Sequence, residues 1–371
     1  MVKVPADWKP LQLKDIGTIQ MCRRIFQSQT KKSGGVPFFK ISTFGKHADS
    51  YISRELFEKY KKLYPYPEKD DVLISTAGTI GRVAIFDGKD SYFQDSNIVW
   101  LTVNNNVISR SFLWWFYRSF PWQGLEGTTI QRLYNKIILN TEIHLPSMKE
   151  QQAIADTLST FDTYISDLTE LIEKKRAIRD GALEDLVSGK KRLDGFDGEW
   201  KKGIIRDLLT IMHGKNQKDV EAFNGKYPIL GTGGIIGQAK KYLCNWECVL
   251  IGRKGTIDQP MYMNKPFWSI DTLYFSKPVD SMHCVKFQFY LFCTIPWSDY
   301  AESSGRPSLA KSAIEAIPIL IPSIKEQQAI ADTLTAMDDE IRELEEERSK
   351  MKEIREGAMD DLLTGRVRLP L

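Results

Sequence analysis

Two stripes of apolar residues dominate the pattern along the chain. In the first, Ile154, Leu158, Phe161, Ile165, Leu168 and Ile172 follow one another at intervals of 4, 3, 4, 3 and 4. In the second, Ile330, Leu334, Met337, Ile341 and Leu344 repeat that spacing. Charged residues such as Glu343 and Glu345-Glu346-Glu347-Arg348 fill the intervals. Alternating steps of 3 and 4 predict a helix whose narrow apolar seam faces another helix, as in a coiled coil. Pro146-Ser147 and Pro322-Ser323 precede the stripes, with Glu150 and Glu326 placed to complete a capping box. Gly189 and Gly365, each followed by basic side chains, fit the C′ position that ends a helix. Each helix is predicted to run about 38–40 residues, roughly 57–60 Å at the α-helical rise.

The stripes are copies of one another. Lys149 to Leu158 recurs letter for letter as Lys325 to Leu334, and 24 of the 45 positions from 149 to 193 match their counterparts 176 residues on. A repeat of this length organises the whole chain. Two matching seams in one chain pack most simply on each other as an antiparallel pair with a pseudo-two-fold axis. The segments ahead of the helices repeat more faintly. Trp8, Leu13 and Asp15 align with Trp200, Ile205 and Asp207, and Asp71-Val72-Leu73-Ile74 followed by Gly78-Thr79-Ile80 parallels Cys248-Val249-Leu250-Ile251 followed by Gly255-Thr256-Ile257. Short apolar strands mixed with helices make each block α+β. The division is therefore a first block at 1–147, a central spacer helix at 148–193, a second block at 194–323 and a C-terminal spacer helix at 324–371.

Composition narrows the class. Of 371 residues, 42% are hydrophobic and 11% aromatic, enough to build packed cores and to exclude a disordered chain. No apolar run reaches membrane-spanning length and no secretory h-region opens the chain. An odd set of cysteines (Cys22, Cys244, Cys248, Cys284, Cys293) suits a reducing compartment, so a cytoplasmic protein is expected. The net charge of +3 resolves into +7 for 1–147, −1 for 148–193, +2 for 194–323 and −5 for 324–371. Positive charge lies in the two blocks, compatible with binding a polyanion.

Catalytic templates find no match. The Gly252-Arg253-Lys254-Gly255-Thr256 run lacks Walker A spacing, and His47, His144, His213 and His283 form no metal-ligand motif. Cys244 and Cys248, beside Val249 and Leu250, read as buried thiols rather than zinc ligands. No Asn/Asp-Pro-Pro-aromatic tetrapeptide of amino-methyltransferases occurs. The chain is expected to be non-catalytic, with no metal and no cofactor of its own. What remains are glycine-flanked polar loops suited to DNA, because glycine admits a close backbone approach, hydroxyls donate to phosphates, and Arg, Lys or Gln reach base edges. The candidates are Ser75, Thr76, Thr79 and Arg82 in the first block and Arg253, Lys254, Thr256 and Gln259 in the second. A second pair of loops adds Thr128, Thr129, Gln131, Arg132 and Lys136, and Ser304, Arg306, Ser308 and Lys311, with Lys215 a further candidate. The aromatic runs Phe112–Tyr117 and Phe287–Phe292 are expected to be buried helices rather than base-stacking platforms.

Helices that open with Pro-Ser-x-Lys-Glu-Gln-Gln-Ala-Ile-Ala-Asp and close with Gly-Ala-x-x-Asp-Leu-x-x-Gly-Lys/Arg, each behind a variable block, resemble the specificity subunit of Type I restriction–modification systems. The resemblance covers essentially the whole chain. It implies that the blocks are target recognition domains for double-stranded DNA and that the helices are spacers docking two methyltransferase subunits. It also implies that the complex methylates adenine with S-adenosylmethionine on the partner subunits, and becomes an ATP-dependent nuclease when restriction subunits join. Two blocks sharing few residues should read two different half-sites. A coiled-coil adaptor that binds only proteins is the alternative.

Overall fold

The computed structural model describes residues 4–122, 132–280, 283–302, 305 and 307–370. It divides into two compact units, Met1–Leu168 with Glu347–Leu371, and Thr169–Glu346. Both mix helix and sheet.

The first unit is built on an antiparallel sheet in the order Gly17–Gln20, Ile98–Val103, Val72–Ser75, Val83–Ile85. Its central strand is buried along its full length, because alternate residues enter different cores. Val72 and Ile74 join Phe112, Leu113 and Trp115 of the helix Arg110–Ser119. Leu73 turns the other way, into a core with Val36, Phe38, Phe57 and Trp100. That second core lies under a small sheet ordered Thr30–Lys31, Tyr51–Ile52, Val36–Phe39, Tyr92–Phe93, supported by the helix Arg54–Leu63.

The second unit repeats the plan. Its sheet runs Leu209–His213, Leu273–Pro278, Cys248–Gly252, Met261–Met263. Val249 and Ile251 face Phe287, Tyr290 and Phe292 of the helix Val285–Thr294, while Cys248 and Leu250 face Leu230, Phe267 and Phe275. The aromatic runs are thus core helices, as their sequence indicates. Cys244 and Cys248 are buried thiols 3.9 Å apart. In each unit a two-stranded ribbon, Lys9–Gln12 with Glu142–Leu145 or Lys201–Ile204 with Pro318–Ile321, leads into a long helix.

The long helices, Met148–Ser188 and Ile324–Thr364, are 41 residues each, and the boundary between the units falls inside both. In the first unit Glu150 meets Arg368, Asp162 meets Arg355 and the Tyr164 hydroxyl meets Glu347. In the second Lys175 meets Glu340, Arg179 meets Asp338 and Arg192 meets Glu326. Partner numbers fall as the first helix advances, so within each unit the two helices run in opposite directions.

The stripes divide by depth. Ile154 and Leu158 belong to the same core as Phe112 and Leu362, and Ile330 and Leu334 to the same core as Phe287, Leu183 and Leu186. The opening turns of each helix therefore complete a globular core as well as a seam. Further along, Ile165, Leu168, Ile172 and Ile341 are buried, whereas Phe161, Met337 and Leu344 are half-buried. Gly189 and Gly365 adopt left-handed backbone at the helix ends, which favours glycine. No helix among the described residues is long and apolar enough to cross a membrane.

Candidate nucleic-acid interface

The capping expectation needs a correction, and the correction explains why the repeat is so literal. Ser147 and Ser323 do cap, their hydroxyls accepting from the N–H of Glu150 and Glu326 at 3.3 Å. The two carboxylates, each only 2% exposed, turn instead to a cation from the end of the other long helix. Arg368 Nη2 donates to Glu150 at 2.8 Å, and Arg192 Nη2 donates to Glu326 at 2.8 Å. A carboxylate taken out of water requires a charge partner, and a guanidinium supplies one with directional hydrogen bonds. The next residue is fixed as tightly. The amide of Gln151 donates to the carbonyls of Val107 and Pro146 and accepts from the Ser109 N–H; that of Gln327 donates to Pro322 and accepts from the Cys284 N–H. Lys-Glu-Gln-Gln thus ties each long helix both to the aromatic helix of its unit and to the exit of its antiparallel neighbour. Glutamate and glutamine kept identical between two divergent copies were the available signal.

The polar loops follow the buried central strands. In the first unit Ser75 is buried, its hydroxyl donating to the Thr79 carbonyl at 2.6 Å and accepting from the Arg82 N–H at 3.0 Å. Thr76 is buried too, donating to the Ser96 carbonyl at 2.7 Å. These hydroxyls shape the loop and are not presented to solvent. Thr79 is exposed, and Arg82 is half-buried with Nη1 on the Phe44 carbonyl at 3.0 Å. Arg132 reaches the Ser96 carbonyl at 3.3 Å, and the Leu133 N–H donates to the Thr76 carbonyl, which stitches the two candidate loops together. Lys136 is exposed beside a cavity of about 850 Å³ lined by Phe120, Trp122 and Tyr134. Thr128, Thr129, Gln131, Ser304 and Arg306 lie outside the described residues.

The second unit makes the same stitch with different side chains. The Leu309 N–H donates to the Arg253 carbonyl, and Lys254 bridges Ser308 in antiparallel fashion just as Ala77 bridges Arg132. A Cβ on Gly252 would sit 1.9 Å from the Thr256 carbonyl oxygen, so the loop can fold back only over a glycine. Arg253, Lys254 and Lys311 converge on a cavity of about 560 Å³, joined by Arg206, His213, Tyr274, Glu302 and Glu315. Ser308 is buried, donating to Glu302 at 3.1 Å. Glu315 is buried as well. Burial alone would raise its carboxyl, but the Ile211 N–H at 3.0 Å, Arg206 at 3.1 Å and Lys311 hold it below the ordinary carboxylate range. Two of the four cations are therefore neutralised internally. Arg253 leans on the Asp271 carbonyl at 3.4 Å, and Lys254 is exposed with no ion pair among the described residues. Thr256 is half-buried and Gln259 exposed on the same loop. Lys215 is exposed, its N–H held by the Ser269 carbonyl at 2.8 Å. Arg206, in the turn Ile205–Asp207, and His213, at the end of the strand Leu209–His213, escaped the sequence reading as site residues, since a lone side chain beside a strand carries no motif.

A sequence profile described as the Type I restriction modification DNA specificity domain matches residues 5–178 and 197–353. A putative type I restriction enzyme specificity subunit of Haemophilus influenzae is 49% identical over 162 residues, 44% of this chain and 42% of that protein. One from Methanocaldococcus jannaschii is 25% identical over 99% of this chain and 95% of its own length. The crystal structure of the S subunit of a type I restriction–modification system from Mycoplasma genitalium shares the fold, with a TM-score of 0.65 at 19% identity over 97% of this chain and 96% of that one. With two matched segments that together cover most of the sequence, one in each half, the chain belongs to the type I restriction–modification specificity subunits, the subunits of target recognition.

Proposed function

We propose that this chain reads a bipartite, asymmetric site in double-stranded DNA, with one half-site for each recognition block. The blocks at 1–147 and 194–323 supply the reading surfaces, and the helices at 148–193 and 324–371 form an antiparallel coiled coil that sets their separation. The observation that carries this reading is the doubled stitch, in which a glycine-flanked loop after a buried strand is bonded to the loop ahead of a short helix in both units, with different side chains on it. Equivalent frames bearing unlike contacts are what an unlike pair of half-sites requires. In the second block Lys254 and Arg253 would meet phosphates and base edges, with Lys311, Thr256, Gln259 and Lys215 around them; in the first, Thr79, Arg82, Arg132 and Lys136 take that part.

The chain itself performs no chemistry in this reading. Its helices dock two methyltransferase subunits that bring S-adenosylmethionine, and restriction subunits that use ATP join the assembly, all in the cytoplasm. The test is a map of methylated adenine in a host expressing this chain with its modification subunit. One gapped, asymmetric motif is expected. Insertion of four residues within 158–186 lengthens the spacer by about 6 Å, near two base pairs at about 3.4 Å each. The gap should widen while both half-sites persist. A motif whose gap ignores the insertion overturns the spacer assignment, and soluble, co-purifying subunits that yield no motif favour the adaptor.

A further inference from the structure

The second unit exposes a pair of isoleucines at the tip of a hairpin. The hairpin of Tyr227–Gly231 and Gly234–Ala239 ends in Gly231-Thr232-Gly233-Gly234-Ile235-Ile236-Gly237, with Gly234 in left-handed backbone. The register shifts at this point: Leu230 pairs with Ile235 and Ile229 with Gly237, which leaves Ile236 out of the ladder. Ile236 is 52% exposed and lies near Gly231, where an added Cβ would be 3.3 Å from its Cγ2. Ile235 is 67% exposed, and nothing among the described residues covers it. An exposed β-branched side chain next to Gly234 at the tip of a hairpin is not a packing feature, since the fold would lose nothing with a polar residue there.

Its neighbours indicate what it meets. The Ile270 N–H donates to the Leu230 carbonyl at the end of the hairpin. Two residues on, the Thr272 carbonyl accepts from the Arg253 N–H at 2.8 Å, and the Lys215 N–H donates to Ser269. The projecting isoleucine thus shares one hydrogen-bonded neighbourhood with Lys215 and the Arg253–Lys254 loop. A two-stranded ribbon flanked by cations has the width and charge to enter a DNA major groove, where the only apolar group on a base edge is the thymine methyl.

We propose that Ile235 is a specificity-determining residue that packs on a thymine 5-methyl group in the half-site read by the second block. The inference rests on the DNA-reading assignment above and sharpens it. The test uses the complex of the full chain with its methyltransferase partner and a duplex carrying the mapped motif. Each thymine of the second half-site is replaced in turn by uracil, for the wild type, Ile235→Ala and Lys254→Ala. Ile235→Ala should bind the intact motif about fourfold more weakly, the worth of burying one methyl-sized group. One uracil position should weaken the wild type by the same factor and leave Ile235→Ala unchanged. A half-site without thymine, or uracil effects identical in the two proteins, overturns the proposal. Lys254→Ala separates the levels: weaker binding with a shallower salt dependence there, beside an inert Ile235→Ala, removes this inference alone. An inert Lys254→Ala removes the reading of this whole surface.

Discussion

The two units share a frame and differ in what the frame carries. Each has a four-stranded antiparallel sheet with one fully buried strand, an aromatic helix behind it, a two-stranded ribbon and the opening turns of a long helix. On the other face the first unit bears a four-stranded sheet with a ten-residue helix, Arg54–Leu63, while the second bears a three-stranded sheet whose hairpin ends in exposed isoleucines. The parallel pairing of Val36–Phe39 with Tyr92–Phe93 persists as Tyr227–Gly231 with Trp268–Ser269. Divergence is thus concentrated on the face turned away from the long helices, and identity on the face that holds them. A recognition protein needs that division, because its reading surface must vary while the geometry that positions it stays fixed.

The largest expected effect tests the shared face. Leu158 and Leu334 occupy equivalent places and are fully buried, each in the core of its own unit. Leu158→Ala and Leu334→Ala should each cost about 3 kcal/mol, while half-buried Leu344→Ala costs about 1 kcal/mol. Thermal unfolding followed by peptide-resolved hydrogen exchange would check this. Equal costs at positions 334 and 344 would mean that the stripe is a uniform seam and that the opening turns have no special role in the cores.

A subtler contrast lies in the buried carboxylates. Glu326 receives Trp200 Nε1 at 3.0 Å as well as Arg192, whereas the corresponding Trp8 Nε1 makes no hydrogen bond among the described residues. Arg368 instead holds Asp7 along with Glu150, and that pairing keeps Asp7 below its ordinary range. Removing the guanidinium leaves Glu326 one donor from the indole but leaves Glu150 none of that kind. Arg368→Met should therefore destabilise its unit more than Arg192→Met destabilises its own, as expected when a buried charge loses its partner. Urea denaturation of the single variants and of the two Trp→Phe pairs would test it, and equal losses would show that the indole contributes nothing.

The frame was legible in the sequence for a physical reason: burial against a fixed partner preserves period and identity, so the stripes, the aromatic runs and the strand pairs all left a pattern. The site was less legible. Ser75 and Thr76 have the composition of phosphate donors, yet a hydroxyl near a tight loop can bond a backbone carbonyl, and both do. Sequence spacing cannot tell which carbonyl lies within reach. Spacing suggested Glu150 as a capping residue and hid its role as an ion partner, because Arg368 lies 218 residues away.

The smallest expected effect separates the units by pH, through two buried carboxyls with opposite shifts. Burial raises the Asp71 carboxyl and outweighs the Glu68 N–H and Arg110 beside it, whereas Glu315 is held low by the Ile211 N–H, Arg206 and Lys311 despite its burial. A lowered carboxyl gives stability that is present above the unfolded value, about 4.3 for glutamate, and lost as pH falls through the folded value. A raised carboxyl gives stability that is full below its unfolded value and fades as pH rises through the folded one. Moving from pH 6 towards pH 3 should consequently weaken the second unit through Glu315 while Asp71 favours the first. Hydrogen exchange resolved by unit would report the two trends in one sample. Glu315→Gln should flatten the acid loss in the second unit, and Asp71→Asn should remove the acid gain in the first. Position 139, the counterpart of Glu315 in the first unit, is Leu139, so no carboxylate there can supply the same loss. Acid sensitivity that survives Glu315→Gln unchanged would place its source elsewhere among the carboxylates of the second unit and dissolve this difference between the two frames.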